Sequence, residues 1–190
     1  MKAVAPLLTV QPHAVRFYEN DKSLAQIVAQ FLNDGLAAGD PALVVATPAH
    51  RGAILRALVA KSLDVVQLQR SHDLILLDAE ETLARFMTNG EPEAEVFRDA
   101  MSEVIATACR ERLDCTVRIY GELVDVLWKD GQQEAAIRLE MLWNQLANTR
   151  GFSLLCGYAM GNFYKDANVQ EVCRHHTHVV SADGKMSSVA

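Results

Sequence analysis

The densest run of potential ligands in the chain is Cys173-Arg174-His175-His176-Thr177-His178. On a helix, Cys173 and His176 stand three residues apart and share a face. A structural zinc site asks for four Cys or His ligands, usually in two pairs. Cys156 and His13 are candidates for the remainder, but no spacing in the chain joins them to this string. The favoured reading is a core thiol beside partly exposed histidines, with no metal and no cofactor assigned. Asp78 and Glu122 follow apolar runs and suit a metal-binding or water-activating pair, or the capping of the helices behind them. Cys156 as a nucleophile lacks a local motif for an activated thiolate.

The segment Phe17-Tyr18-Glu19-Asn20-Asp21-Lys22-Ser23 has the order of a phosphate loop: strand, loop, Lys-Ser, helix. A working loop needs glycines so that backbone N–H groups can wrap phosphate. Here Glu19, Asn20 and Asp21 fill those places, and two carboxylates repel a triphosphate. The segment reads instead as a capped helix start, with Asp21 or Ser23 as the cap. Trp128 and Trp143 are read as core, with a pocket wall as the alternative.

These residues must be positioned by alternating elements. Strands are expected over Ala14–Tyr18, Ala42–Thr47, Leu74–Asp78, Thr116–Tyr120 and Phe152–Tyr158, with a short edge strand over Val65–Leu68. Helical stripes lie between them: Leu24 to Leu32, residues 49–60, Glu80–Met87, Phe97 to Ala108, Leu123–Trp128, and Ala135 to Leu146. A further helix is expected over residues 167–178. Strand–helix alternation predicts a single α/β domain, a mostly parallel sheet with helices on both faces. Ligands of such sheets sit beyond the carboxyl ends of the strands, which here carry Tyr18, Glu19, Thr47, Asp78, Glu122, Cys156 and Tyr158. Residues 1–12 read as a flexible leader, 13–180 as the domain and 181–190 as a flexible polar tail.

The chain has 190 residues, 50% of them hydrophobic and 22% charged, enough to bury a core without staples. A net charge of −6 and no basic block argue against direct nucleic-acid binding. No run approaches the length of a spanning helix, and the first residues lack a secretory signal. A cytoplasmic protein is expected, with its four cysteines as thiols.

Several fragments, taken in order, carry a resemblance: HAVRFYEND, FLNDGLAAGDPALVVAT, LILLDAEETLARFM, VRIYGELVDVLW, AAIRLEMLWNQLA, FSLLCGY and VCRHHTHVV. Together they resemble the MEDS domain family, prokaryotic sensory domains first described in a repressor of dichloromethane degradation and in methanogen and methylotroph regulators. The resemblance covers residues 13–180. It implies a three-layer RecA/KaiC-like core with a degenerate phosphate loop, and a role in sensing small molecules or hydrocarbon derivatives. His13, Phe17 and Tyr18 match the family's opening motif, Gly121 and Glu122 its central one, and Glu140, Trp143, Cys156, Tyr158, Cys173 and His176 later positions.

The expectation is therefore a non-catalytic sensory domain of bacterial signal transduction or transcription control. It would bind a small molecule or a signalling partner through His13, Phe17, Tyr18, Glu19, Glu122, Cys156, Tyr158, Cys173 and His176. Its partner would be a histidine kinase or transcription regulator on a separate chain, since no helix-turn-helix or kinase core is visible, and a homodimer is the default assembly. The alternatives are an adaptor that binds a kinase or sigma-regulator without ligand, using an exposed stripe on helix 132–148, a nucleotide-binding RecA-like protein, and a redox or metal sensor acting through Cys156, Cys173 and His176. Replacing Glu122 by Ala is expected to weaken the response and leave the fold intact.

Overall fold

A computed structural model describes residues 12–110, 112, 114–163 and 166–189. The expected leader lies almost wholly outside the described residues. Seven strands form one sheet: β1 (His13–Tyr18), β2 (Ala42–Ala46), β3 (Leu74–Asp78), β6 (Val117–Gly121), β7 (Phe152–Ala159), β8 (His178–Val180) and β9 (Met186–Ser188). Their order across the sheet is β3-β2-β6-β7-β1-β8-β9. Every pairing is parallel except that of β8 with β9. A two-strand ribbon, β4 (Met87–Thr88) and β5 (Glu91–Pro92), stands apart.

Both faces of the sheet are buried, which explains the continuous apolar strands. Successive residues alternate between two cores: Leu43 and Val45 enter one, Ala42, Val44 and Ala46 the other. The second core is closed by α1 (Asp21–Ala38), α2 (Pro48–Ala60) and α3 (Val65–Arg70). The first is closed by α4 (Ala79–Ala84), α5 (Ala94–Cys109), α6 (Leu123–Lys129), α7 (Gln133–Ala147) and α8 (Asp166–Arg174). The result is the expected three-layer α/β domain. Crossovers stepping toward β3 run over the α1–α3 face and those stepping back toward β8 over the other, so all have one hand.

Several local expectations are corrected. Val65–Leu68 is helical, not an edge strand: Asp64 accepts from Gln67 N and starts α3. The cap of α1 is Asn20, whose side chain accepts from Ser23 N at 3.0 Å, rather than Asp21 or Ser23. The last helix stops at Arg174, and residues 178–180 pair with β1 as β8. Residues 181–190, read as a polar tail, contain β9, which pairs with β8. Cys156 and Cys173 are free thiols, but Cys109 and Cys115 are joined in a disulfide. Arg110, at φ 45°, turns the chain after α5, and the two Cα atoms come within 5.6 Å.

Trp128 and Trp143 are buried, as expected of core residues. The α7 stripe is core as well: Ala135, Leu139, Leu142 and Leu146 pack inward. No apolar patch containing Trp143 remains for an adaptor surface.

Candidate functional site

Six of the nine singled-out residues fall into two groups, Tyr18 and Glu122 at the carboxyl edge of the sheet and His13, Cys156, Tyr158 and His176 inside one core. The first group lies at the carboxyl edge. There β1 neighbours β7, and β2 neighbours β6, while the helices that follow each pair leave on opposite faces. Such points open a crevice. Glu122, 2% exposed, closes one of them. Its Oε1 accepts from the Thr47 N–H, its Oε2 lies 2.6 Å from His50 Nδ1, and the Tyr120 hydroxyl donates to it at 3.1 Å. At the neighbouring crevice the Tyr18 hydroxyl donates to Asp125 Oδ2 at 3.2 Å, and the other Asp125 oxygen accepts from Ala159 N and Asn162 Nδ2. Burial raises the pKa of Asp125. The bond to Glu122 outweighs burial at His50 and lifts its pKa to about 9, leaving it cationic at neutral pH.

His50 also reaches Asp21 at 3.4 Å and borders a 580 Å³ cleft between the starts of α1 and α2. The floor of the cleft is Ala25, Ala49, Ala53 and Ala57, and its rim carries Asp21, Lys22, His50 and Arg56. A larger groove of 740 Å³ runs between α1 and the β8–β9 hairpin, but none of the nine residues lines it. Its charged rim pairs Asp34 and Asp183 with Lys61 and Arg118, giving no preferred ligand charge.

The second group lies inside the other core. His13 starts β1, and Cys156 stands opposite Val15 in β7, so both point to the same face. Glu140 projects from α7 and His176 follows α8. All four are buried, with ligand atoms within 4.8 Å of one another. His13 Nε2 is 3.1 Å from Glu140 Oε2 and 3.4 Å from Cys156 Sγ. Cys156 Sγ is 3.7 Å from Glu140 Oε2, and His176 Nε2 is 3.4 Å from Glu140 Oε1. The Tyr158 hydroxyl donates to Glu140 Oε1 at 2.8 Å.

Both imidazoles are oriented from behind. His176 Nδ1 donates to the Val172 carbonyl at 2.8 Å. Asn144 Nδ2 donates to the His175 carbonyl, which turns its oxygen toward His13 Nδ1 at 2.8 Å. Each ring thereby presents an Nε2 lone pair inward when neutral. Burial lowers the pKa of His176 to about 4. Burial and Glu140 raise that of the Cys156 thiol.

The remaining residues fall elsewhere. Phe17 packs edge-on against Phe163 at 5.4 Å and near Tyr158, in an aromatic cluster completed by Trp128. Glu19 is exposed. Cys173 is a half-buried thiol packed against the core and does not join His176, because the helix ends between them. Asp78 and Glu122 form no pair. Asp78 caps α4 through Glu80 N and Glu81 N and binds Arg51 at 2.9 Å, whereas Glu122 turns to His50. With three partners at a buried site, Glu122 also ties strand-end groups of the fold together.

His50, Asp125 and Asn144 escaped the sequence reading, and Glu140 entered it only as a family match. Two carried a signal. Glu140 lies on the apolar stripe between Leu139 and Trp143, and Asp125 interrupts Leu123-Val124 and Val126-Leu127. A charge inside an apolar stripe marks a buried partner. His50 and Asn144 carried no such mark.

The model of one protein family, MEDS, the methanogen/methylotroph, DcmR sensory domain, matches residues 12–177. The chain belongs to the MEDS family. The match spans both groups of residues, from His13 to His176. MEDS is by description a sensory domain, which supports a sensory role. No curated protein matches the chain. Among the described residues of this MEDS domain, no helix is long and apolar enough to cross a membrane.

Proposed function

We propose that this MEDS domain is a non-catalytic sensor that reads a small organic anion at the carboxyl edge of its sheet and passes the change to a signalling partner. One observation carries the reading: the 580 Å³ cleft between α1 and α2 sets Lys22, His50 and Arg56 around a floor of alanine methyls. Its volume suits a small ligand. Three cations face the single carboxylate of Asp21 on that rim, and the methyls suit a short hydrocarbon tail.

An anion there competes with Asp21 for the Nε2 proton of His50. Drawing His50 outward loosens its tie to the end of β6, where Glu122 also holds Thr47 N and the Tyr120 hydroxyl. Binding thus favours one arrangement of the strand-end loops over another, as a sensor requires.

The test is thermal-shift and calorimetric titration with a series of short carboxylates from formate to butyrate. A saturable rise in midpoint is expected, and it should vanish in a Lys22→Ala/Arg56→Ala double variant whose unliganded midpoint is unchanged, since both side chains are exposed. No binding across the series, or equal binding by the double variant, would overturn the reading.

A further inference from the structure

We propose that His13, Glu140, Cys156 and His176 form a four-coordinate site for a divalent transition metal of the zinc class. The site is separate from the carboxyl-edge cleft, and neither proposal depends on the other.

The first argument is size. Around a tetrahedral ion with ordinary Zn–N, Zn–O and Zn–S bonds, neighbouring ligand atoms stand about 3.3–3.8 Å apart. The separations here are 3.1 Å for His13 Nε2 to Glu140 Oε2, 3.4 Å for His13 Nε2 to Cys156 Sγ, 3.7 Å for Cys156 Sγ to Glu140 Oε2 and 3.4 Å for His176 Nε2 to Glu140 Oε1. His13 and Cys156 face Oε2 of Glu140 and His176 faces Oε1, and the four ligand atoms lie within 4.8 Å of one another.

The second argument is an unmet need. His176 Nε2 is buried without a hydrogen-bond partner, and its ring donates to Val172 from the other nitrogen. A lone pair aimed into a closed, polar space calls for a Lewis acid or a proton. The fully buried Glu140 carboxylate faces the Nε2 atoms of His13 and His176 at 3.1 and 3.4 Å. A divalent ion offsets one carboxylate and one thiolate and accepts both imidazole nitrogens, so the four ligands close its charge as well as its shell.

The third argument is the supporting shell. Metal-bound histidines commonly donate their other N–H to a carbonyl, and bound carboxylates are themselves hydrogen-bonded. His176 does so to Val172, His13 to the Asn144 side chain, and Glu140 accepts from Tyr158. The donor set of two nitrogens, one sulfur and one oxygen excludes calcium and magnesium, which take oxygens, and suits zinc and its late first-row neighbours.

The probe is cobalt(II), supplied during expression or refolding because the site is closed to solvent. The expected result for the wild-type chain is one equivalent of cobalt with tetrahedral visible bands and a thiolate-to-cobalt charge-transfer band in the near ultraviolet. Cys156→Ser should abolish the charge-transfer band, and Cys173→Ser should keep it. His176→Gln should weaken binding at least 100-fold, and Asn144→Ala about 10–100-fold by releasing His13. Should the variants fail to fold, X-ray absorption on the zinc- or cobalt-loaded wild-type chain decides alone: one sulfur with nitrogen or oxygen ligands supports the site. No stoichiometric metal, a shell without sulfur, or a sulfur band that tracks Cys173 would overturn it.

Discussion

His50 Nδ1 stands 2.6 Å from Glu122 Oε2, and this contact joins the first turn of α2 to the end of β6 across the carboxyl edge of the sheet. Much of the behaviour of that edge follows from it. Glu122→Gln keeps an acceptor for the Thr47 N–H but removes the charge that favours protonated His50. The His50 pKa should fall from about 9 toward its ordinary 6.5. Imidazole chemical shifts followed over pH give the answer directly. Glu122→Ala also strands the Tyr120 hydroxyl and the Thr47 N–H, and should cost about 3 kcal/mol in urea unfolding. A loss below 1 kcal/mol would mean that water or a moved side chain replaces the carboxylate.

The same pair predicts a pH dependence with a definite sign. The folded-state pKa of His50, about 9, lies above its ordinary 6.5. The folded protein therefore holds a proton that the unfolded chain releases first. The stabilisation is complete below pH 6.5 and is lost as pH rises through 9. Discounted for solvent screening at this half-open histidine, the effect should be about 1–2 kcal/mol. Comparing wild type with His50→Gln across that window isolates it from the other titrating groups.

Gly157 is held small by Tyr120. A Cβ added there would stand 2.6 Å from the Tyr120 hydroxyl oxygen. Gly157→Ala should displace that ring from Glu122 and cost about 1–3 kcal/mol. Pairing it with Tyr120→Phe, which removes the clashing oxygen, should recover part of the loss. Additive losses in the double variant would place the strain elsewhere.

Asp78 should prove structural. Its side chain caps α4 and binds Arg51. Asp78→Ala should lower stability by about 1–2 kcal/mol, and Asp78→Asn, which keeps a capping oxygen, by less. Equal losses in the two variants would mean that the ion pair, not the cap, carries the contribution.

Tyr158 ties the aromatic cluster to the buried carboxylate. Tyr158→Phe leaves the ring packing against Trp128 and Phe163 but removes the donor to Glu140 Oε1. A loss of about 1–3 kcal/mol is expected from thermal or urea unfolding of the metal-free protein.

How far the chain could be read from its residues differs from element to element. β2 and β7 announced themselves because a parallel strand buried on both faces is a continuous apolar run. The absence of glycine from Glu19, Asn20 and Asp21 was equally plain, since a phosphate loop needs it at those local positions. α3 was misjudged because Val65, Val66 and Leu68 are too few to show a period, and the Asp64 cap decided the matter. β8 and β9 are three residues each and take their form from their neighbours, β8 from β1 and β9 from β8.

The sequence by itself determined the class of fold and, through its ordered fragments, the family. Only the tertiary structure decided that six of the nine candidate residues gather in two places, that Cys156 rather than Cys173 comes near His176, and that Cys109 meets Cys115. The reason is physical. Periodicity states which face of an element a side chain occupies, and nothing about what faces it. His13 and Cys156 are 143 residues apart. They meet because β1 pairs with β7 in one register, and because the α7 and α8 crossovers return over the same face and bring Glu140 and His176 down onto it.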